Sequence, residues 1–139
     1  AFDLKMAEAF GRHTEWPAKL ASPYAVKASA TLLEAVGNGL MKGITATAPG
    51  FYAPQGRKLR LEPAITDLNH RLETFDYDGL KISNFEMETS ALYGLSALLG
   101  HQALTVCVAI ANRHRKEYNK NYQKYVEKLV GIVLERIAG

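Results

Sequence analysis

The stretch Ser83-Asn84-Phe85-Glu86-Met87-Glu88-Thr89-Ser90-Ala91-Leu92 sets two carboxylates around a methionine where an extended segment passes into a helix. Upstream, Tyr77-Asp78-Gly79 marks a turn into a short strand around Ile82. Downstream, a helix from Met87 to about Leu99 places Leu92, Leu95 and Leu99 on one face, and Gly100 stops it. A strand that feeds straight into a helix is the repeating step of α/β folds. The two acids admit two readings. Glu in the first turn of a helix is favoured by the helix dipole and by capping, which requires no ligand. An ionised carboxylate also has acceptors only, so a single Glu can take hydrogen bonds from two neighbouring hydroxyls of a sugar.

Two further segments point the same way. Gly43-Ile44-Thr45-Ala46-Thr47-Ala48-Pro49-Gly50-Phe51-Tyr52-Ala53-Pro54-Gln55-Gly56-Arg57 is a small-residue strand, within Leu40 to Ala48, that breaks into a Pro/Gly-rich loop carrying an aromatic, an amide and a guanidinium. The loop, Phe51 to Pro63, is expected to be partly mobile before ligand binds. Thr105-Val106-Cys107-Val108-Ala109-Ile110-Ala111-Asn112-Arg113 is an apolar run ending in polar groups. Within it, Ala103 to Ile110 reads as a parallel strand covered on both faces.

Elsewhere the pattern is helical. Ser22 and Pro23 predict a capped start for a helix continuing through Tyr24 to Ala35, ended by Gly37 and Gly39. Asp67 to Phe75 has helical character. Val126, Leu129, Val130, Val133, Leu134 and Ile137 form one stripe of a last helix that must pack on the sheet. Lys116, Lys120, Lys124 and Lys128 line up as a basic ridge if that helix begins early enough; a solvated face is the plain reading and an anionic partner the rival. Strands alternating with helices predict a layered α/β architecture.

With 139 residues and 47% apolar content, the chain fits one globular domain. Its net charge of +3, from 17 basic and 14 acidic residues, is too small an excess to imply a nucleic-acid partner but is compatible with a phosphate-sized anion. Cys107 is the single cysteine, so no intrachain disulfide forms, and its apolar neighbours predict a buried, inert thiol in a reducing compartment. No run has the length to cross a bilayer, and no signal-peptide pattern opens the chain, so a cytoplasmic protein without membrane contact is expected. His13, His70, His101 and His114 are scattered, with no metal-ligand spacing.

Together the Phe-Glu-Met-Glu junction, the Phe51-Tyr52 loop with Gln55 and Arg57, and the strand ending at Asn112 resemble the uridine branch of the nucleoside phosphorylase family. The resemblance runs from about Ala18 to the C-terminus. It implies an α/β/α fold with a mixed central sheet, of which residues 1–139 would form the C-terminal half as a single partial domain. It implies reversible phosphorolysis of uridine, with inorganic phosphate as co-substrate and no cofactor. Residue by residue, it places Gln55 and Arg57 on the uracil edge, with Arg57 steadying the developing anion, and Phe51 packed on the base. Glu88 would hold the ribose 2′ and 3′ hydroxyls, with Met87 and Glu86 walling the sugar. Phe85 stands where relatives carry an aromatic, Ile110 would touch the pyrimidine, and Arg113 would orient Arg57 or a water.

Relatives acting on purines carry an aspartate after the last strand, where Ala111-Asn112-Arg113 has no acid. The phosphate-binding glycines and arginines of the family have no match in Ala1 to Pro17, so a missing N-terminal half of the same protein is an expected partner. A homo-oligomer, dimer or hexamer, is implied as well. Each role has a plain rival: Arg57, beside Lys58 and Arg60, as a solvated loop cation, Phe51 as core, and Arg113 with His114, Arg115 and Lys116 as a surface cluster. A hydrolytic nucleosidase, a purine phosphorylase of the same fold and a catalytically silent nucleoside-binding module remain the alternatives.

Overall fold

The computed structural model describes residues 2–112 and 115–139. At its centre are two parallel strands, β1 (Ile44–Thr47) and β3 (Leu80–Glu86), with β2 (Asp76–Tyr77) antiparallel on the far side of β3. The sheet is therefore mixed. The β2–β3 hairpin turns on Asp78 and Gly79, at φ 53° and 79°. Positive φ at both central residues is the two-residue turn whose twist suits a hairpin, and Asp-Gly is a sequence that favours it.

Helix α3 (Leu68–Thr74) connects the parallel strands and packs on β3. Its Leu68 and Leu72 join Ile65 in a buried cluster that also receives Phe10, Trp16, Ala46, Ile82 and Phe85. Helix α4 (Thr89–Leu99) begins just past β3 and packs on β1. Since alternate residues of a strand face opposite ways, Ala46 and Phe85 serve the α3 side while Thr47 and Glu86 serve the α4 side. Helices on both faces make the α/β/α layering predicted above.

The N-terminal region adds a helix that was not expected. Helix α1 (Leu4–His13) is capped by Asp3, whose carboxylate accepts from the Met6 amide at 3.0 Å. Phe10 of this helix meets Phe75 edge to face at 5.3 Å. Arg71 ties the region down, bonding Asp67, Glu15 and the Thr14 carbonyl.

Three expectations need correction. The helix expected from Ser22 starts instead at Ser29, which caps α2 (Ala30–Val36) by accepting from the Leu32 amide at 3.2 Å. Tyr24 to Ala28 stay non-helical because the chain there pairs with the N-terminus, Val26 bridging Phe2 and the Asp3 amide donating to Ala25. Ala103 to Ile110 joins no ladder among the described residues; its hydrogen bonds run to isolated groups such as Ser29 and the Tyr93 hydroxyl. Uniform apolarity marks a segment that wants covering, not the partner that would pair with it. Cys107 is exposed rather than buried, beside Asn84. Its thiol is still pushed up, by partial loss of solvent and then by the charge of Glu86.

The lysine ridge also dissolves. The last helix, α5 (Tyr122–Ala138), begins after Lys116 and Lys120, and Lys116 lies in the turn between β4 (Ala111–Asn112) and β5 (Glu117–Tyr118) at φ 55°. Helix α5 packs on α2, where Arg136 donates to the Val36 carbonyl. Leu129, Val130, Val133 and Leu134 face Leu104 and Val106 across an open cleft. No helix among the described residues is long and apolar enough to cross a membrane.

Candidate functional site

Parallel pairing brings the carboxyl ends of β1 and β3 to one edge, with Thr47 opposite Glu86. Ligands of open α/β sheets gather at this end of the strands. Three pieces of chain meet there: the loop leaving β1, the Glu86-Met87-Glu88 junction and the start of α4.

The loop is shaped by a short 3-10 turn, Ala53–Gln55, that ends at Gly56 in the left-handed region at φ 71°. A side chain at Gly56 would also press on Asn69, whose amide lies 3.0 Å from the place a Cβ would take. The turn buries Gln55 to 2% exposure. Its Nε2 donates to the Glu86 carbonyl at 3.3 Å, and its Oε1 accepts from Arg57 Nη1 at 2.7 Å. The same Arg57 nitrogen donates to the Phe51 carbonyl, and the guanidinium lies 3.8 Å from the centre of the Phe51 ring. At that distance the cation is held by the ring's π-face. Phe51 in turn stands edge-on to Tyr52 and is 53% exposed. Thus Phe51, Gln55 and Arg57 form one network that touches the backbone of Glu86.

The two acids of the junction differ. Glu86 Oε1 accepts from the Thr47 hydroxyl at 2.5 Å, and Oε2 accepts from the amides of Glu88 and Thr89, each at 2.8 Å. Partial burial pushes the Glu86 carboxyl up, but the Thr47 hydroxyl and the two amides outweigh it, leaving the group below its ordinary value. Glu88, the cap residue of α4, is exposed, and its carboxylate meets the Met87 amide at 3.2 Å. Met87 is exposed beside it. An acceptor pair open to solvent is what a sugar diol requires; a pair already holding a hydroxyl on one oxygen and two backbone amides on the other is not.

The remaining sequence-predicted residues sit differently. Phe85 packs into the α3 core, on the face opposite Glu86. Ile110 precedes β4, its carbonyl accepting from the Asn119 amide, and none of the hydrogen bonds that tie Phe51, Gln55 and Arg57 together reaches it. Arg113 lies outside the described residues. After the apolar run, Asn112 accepts from the Arg115 amide at 3.0 Å. Thr47 is the functional candidate that sequence reasoning missed. A hydroxyl on the last residue of a strand that opens a ligand-shaped loop was the available signal.

The sequence pattern of the phosphorylase superfamily matches residues 5–138. Over 88 residues the chain is 35% identical to a uridine phosphorylase of Thermococcus kodakarensis, a match covering 59% of this chain and 29% of that protein. Its fold is similar to a Trypanosoma brucei nucleoside phosphorylase described as showing uridine phosphorylase activity, at TM-score 0.64 and 26% identity. That likeness covers 96% of this chain and 39% of the other. The chain thus spans well under half the length of either relative. With the family pattern running along nearly its whole length and the fold agreeing, this chain belongs to the phosphorylase superfamily.

Proposed function

We propose that this chain carries the nucleoside-binding side of a uridine-type phosphorylase, which splits uridine with inorganic phosphate into uracil and ribose 1-phosphate. The observation that carries the reading is the convergence of the Phe51-Gln55-Arg57 network with Glu88 at the shared end of β1 and β3. In phosphorolysis a phosphate oxygen bonds to C1′ as the C1′–N1 bond breaks, and the electron pair leaves with the base. Donors held where that charge gathers lower the barrier, because their contacts strengthen in the transition state. Arg57 supplies a permanent cation with several donors, and Gln55, buried with its Nε2 on the Glu86 carbonyl and its Oε1 on Arg57, offers the pyrimidine edge the donor and acceptor it releases from those bonds when the base enters. The uracil ring takes the place of the guanidinium against Phe51, and Glu88 grips the ribose diol beside Met87.

The phosphate-holding groups belong, on this reading, to the part of the fold that the relatives have and this chain does not span. A homo-oligomer and a cytoplasmic setting go with the same proposal. The missing acid after Asn112 argues for a pyrimidine over a purine. The test is base release from uridine, inosine and adenosine by the assembled protein, with and without phosphate. Uridine is expected to give the highest kcat/KM, and only with phosphate; a reversed ranking overturns the pyrimidine assignment, and phosphate-independent release turns the reading to a hydrolase.

A further inference from the structure

Thr47 does two jobs with one hydroxyl. It donates to Glu86 Oε1 at 2.5 Å and accepts from the Ser90 amide at 3.0 Å. Glu86 Oε2 meanwhile takes the amides of Glu88 and Thr89. The first amides of a helix have no partner within it, and here three consecutive ones, from Glu88 to Ser90, are satisfied by two side chains at the ends of neighbouring strands. Thr89 itself is 4% exposed, so water does not substitute. The start of α4, and with it the backbone carrying Glu88, is pinned to the sheet edge by this clamp.

We infer that Thr47 is a positioning residue for the sugar: by occupying Glu86 Oε1 it holds Oε2 on the amides of the first turn of α4, leaving Glu88 as the carboxylate presented to the ribose diol. The inference rests on the proposed nucleoside site and divides the work of its two acids. Glu86 aligns and Glu88 binds. A valine at position 47 keeps the shape and loses both hydrogen bonds, whereas a serine keeps both.

The experiment compares the unaltered chain with Thr47→Val and Thr47→Ser. Carbon-detected NMR follows the titration of the Glu86 carboxyl, hydrogen exchange follows the amides of Glu88, Thr89 and Ser90, and steady-state kinetics are run with uridine and phosphate on the assembled protein. Thr47→Val is expected to raise the Glu86 midpoint, speed exchange at the Ser90 amide and raise KM for uridine roughly tenfold or more, as for loss of a hydrogen bond to a charged group. Thr47→Ser is expected to restore all three. An unchanged Glu86 titration and unchanged exchange in Thr47→Val overturn the clamp. A disturbed clamp with an unchanged KM overturns its positioning role. An unaltered protein that shows the Thr47-dependent titration but neither binds nor splits uridine overturns the proposed function and leaves the clamp standing.

Discussion

Glu86 and Glu88 are two residues apart and differ in what surrounds them. Glu86 has its carboxyl held below the ordinary value of 4.5, burial opposing the shift and the Thr47 hydroxyl and backbone amides prevailing. A carboxylate whose folded value is depressed adds stability that is fully present above its unfolded value and is lost as pH falls through the folded one. The contribution of Glu86 is therefore expected above about pH 4.5 and to fade below it. Thermal melts taken from neutral to acid pH check this: Glu86→Gln should flatten the acid limb of the curve, and an identical limb would show that the acid does not hold the turn. Glu88→Ala should leave that curve within about 0.5 kcal/mol of the original, as for an exposed side chain, while removing most turnover of ribonucleosides.

At the scale of elements, the β1–β3 pair governs the site, and it depends on a glycine. Gly43, just before β1, approaches β3 so closely that a Cβ there would lie 2.8 Å from the Ser83 Cβ and 3.1 Å from the Lys81 carbonyl. Gly43→Ala is expected to cost about 1–3 kcal/mol through overpacking and to push β1 away from β3. A lowered melting temperature with faster amide exchange along β1 would register it, and an unshifted melt would contradict the close approach. Much of this level was legible in advance. The strand-to-helix junction, the Asp78-Gly79 turn, Asp67 as the start of α3 and Gly100 as the end of α4 all stand where local chemistry put them. What stayed hidden depended on distant partners. Ser22-Pro23 is a sound helix start locally, yet pairing with Phe2 and Asp3 overrides it. Phe51, Gln55 and Arg57 could be singled out as a group within one loop, but the docking of Gln55 on the Glu86 carbonyl and the division between Glu86 and Glu88 depend on contacts between strands and could not be read locally.

The whole molecule exposes more surface than its mass warrants. Its accessible area is 10165 Å² for 15.3 kDa, against about 7,100 Å² from the scaling of folded monomers. The excess includes apolar faces: Leu92, Leu95, Leu98 and Leu99 of α4 are 57% to 72% exposed, and Val130, Leu134 and Ile137 of α5 are 51% to 67% exposed. Apolar surface of this extent is the kind that seeks cover, and other polypeptide is the cover expected here. Native mass spectrometry of the purified chain is expected to show it in assemblies above 15.3 kDa, and a strictly monomeric chain that fails to bind an apolar dye would contradict covered faces. The bond between Thr47 and Glu86 closes across 39 residues of chain. Bringing together groups so far apart along the sequence costs loop entropy before any contact rewards it, which slows folding. The proposed nucleoside site requires that closure, so during refolding, recovery of ligand binding should trail the formation of α3 and coincide with the arrival of β1 against β3.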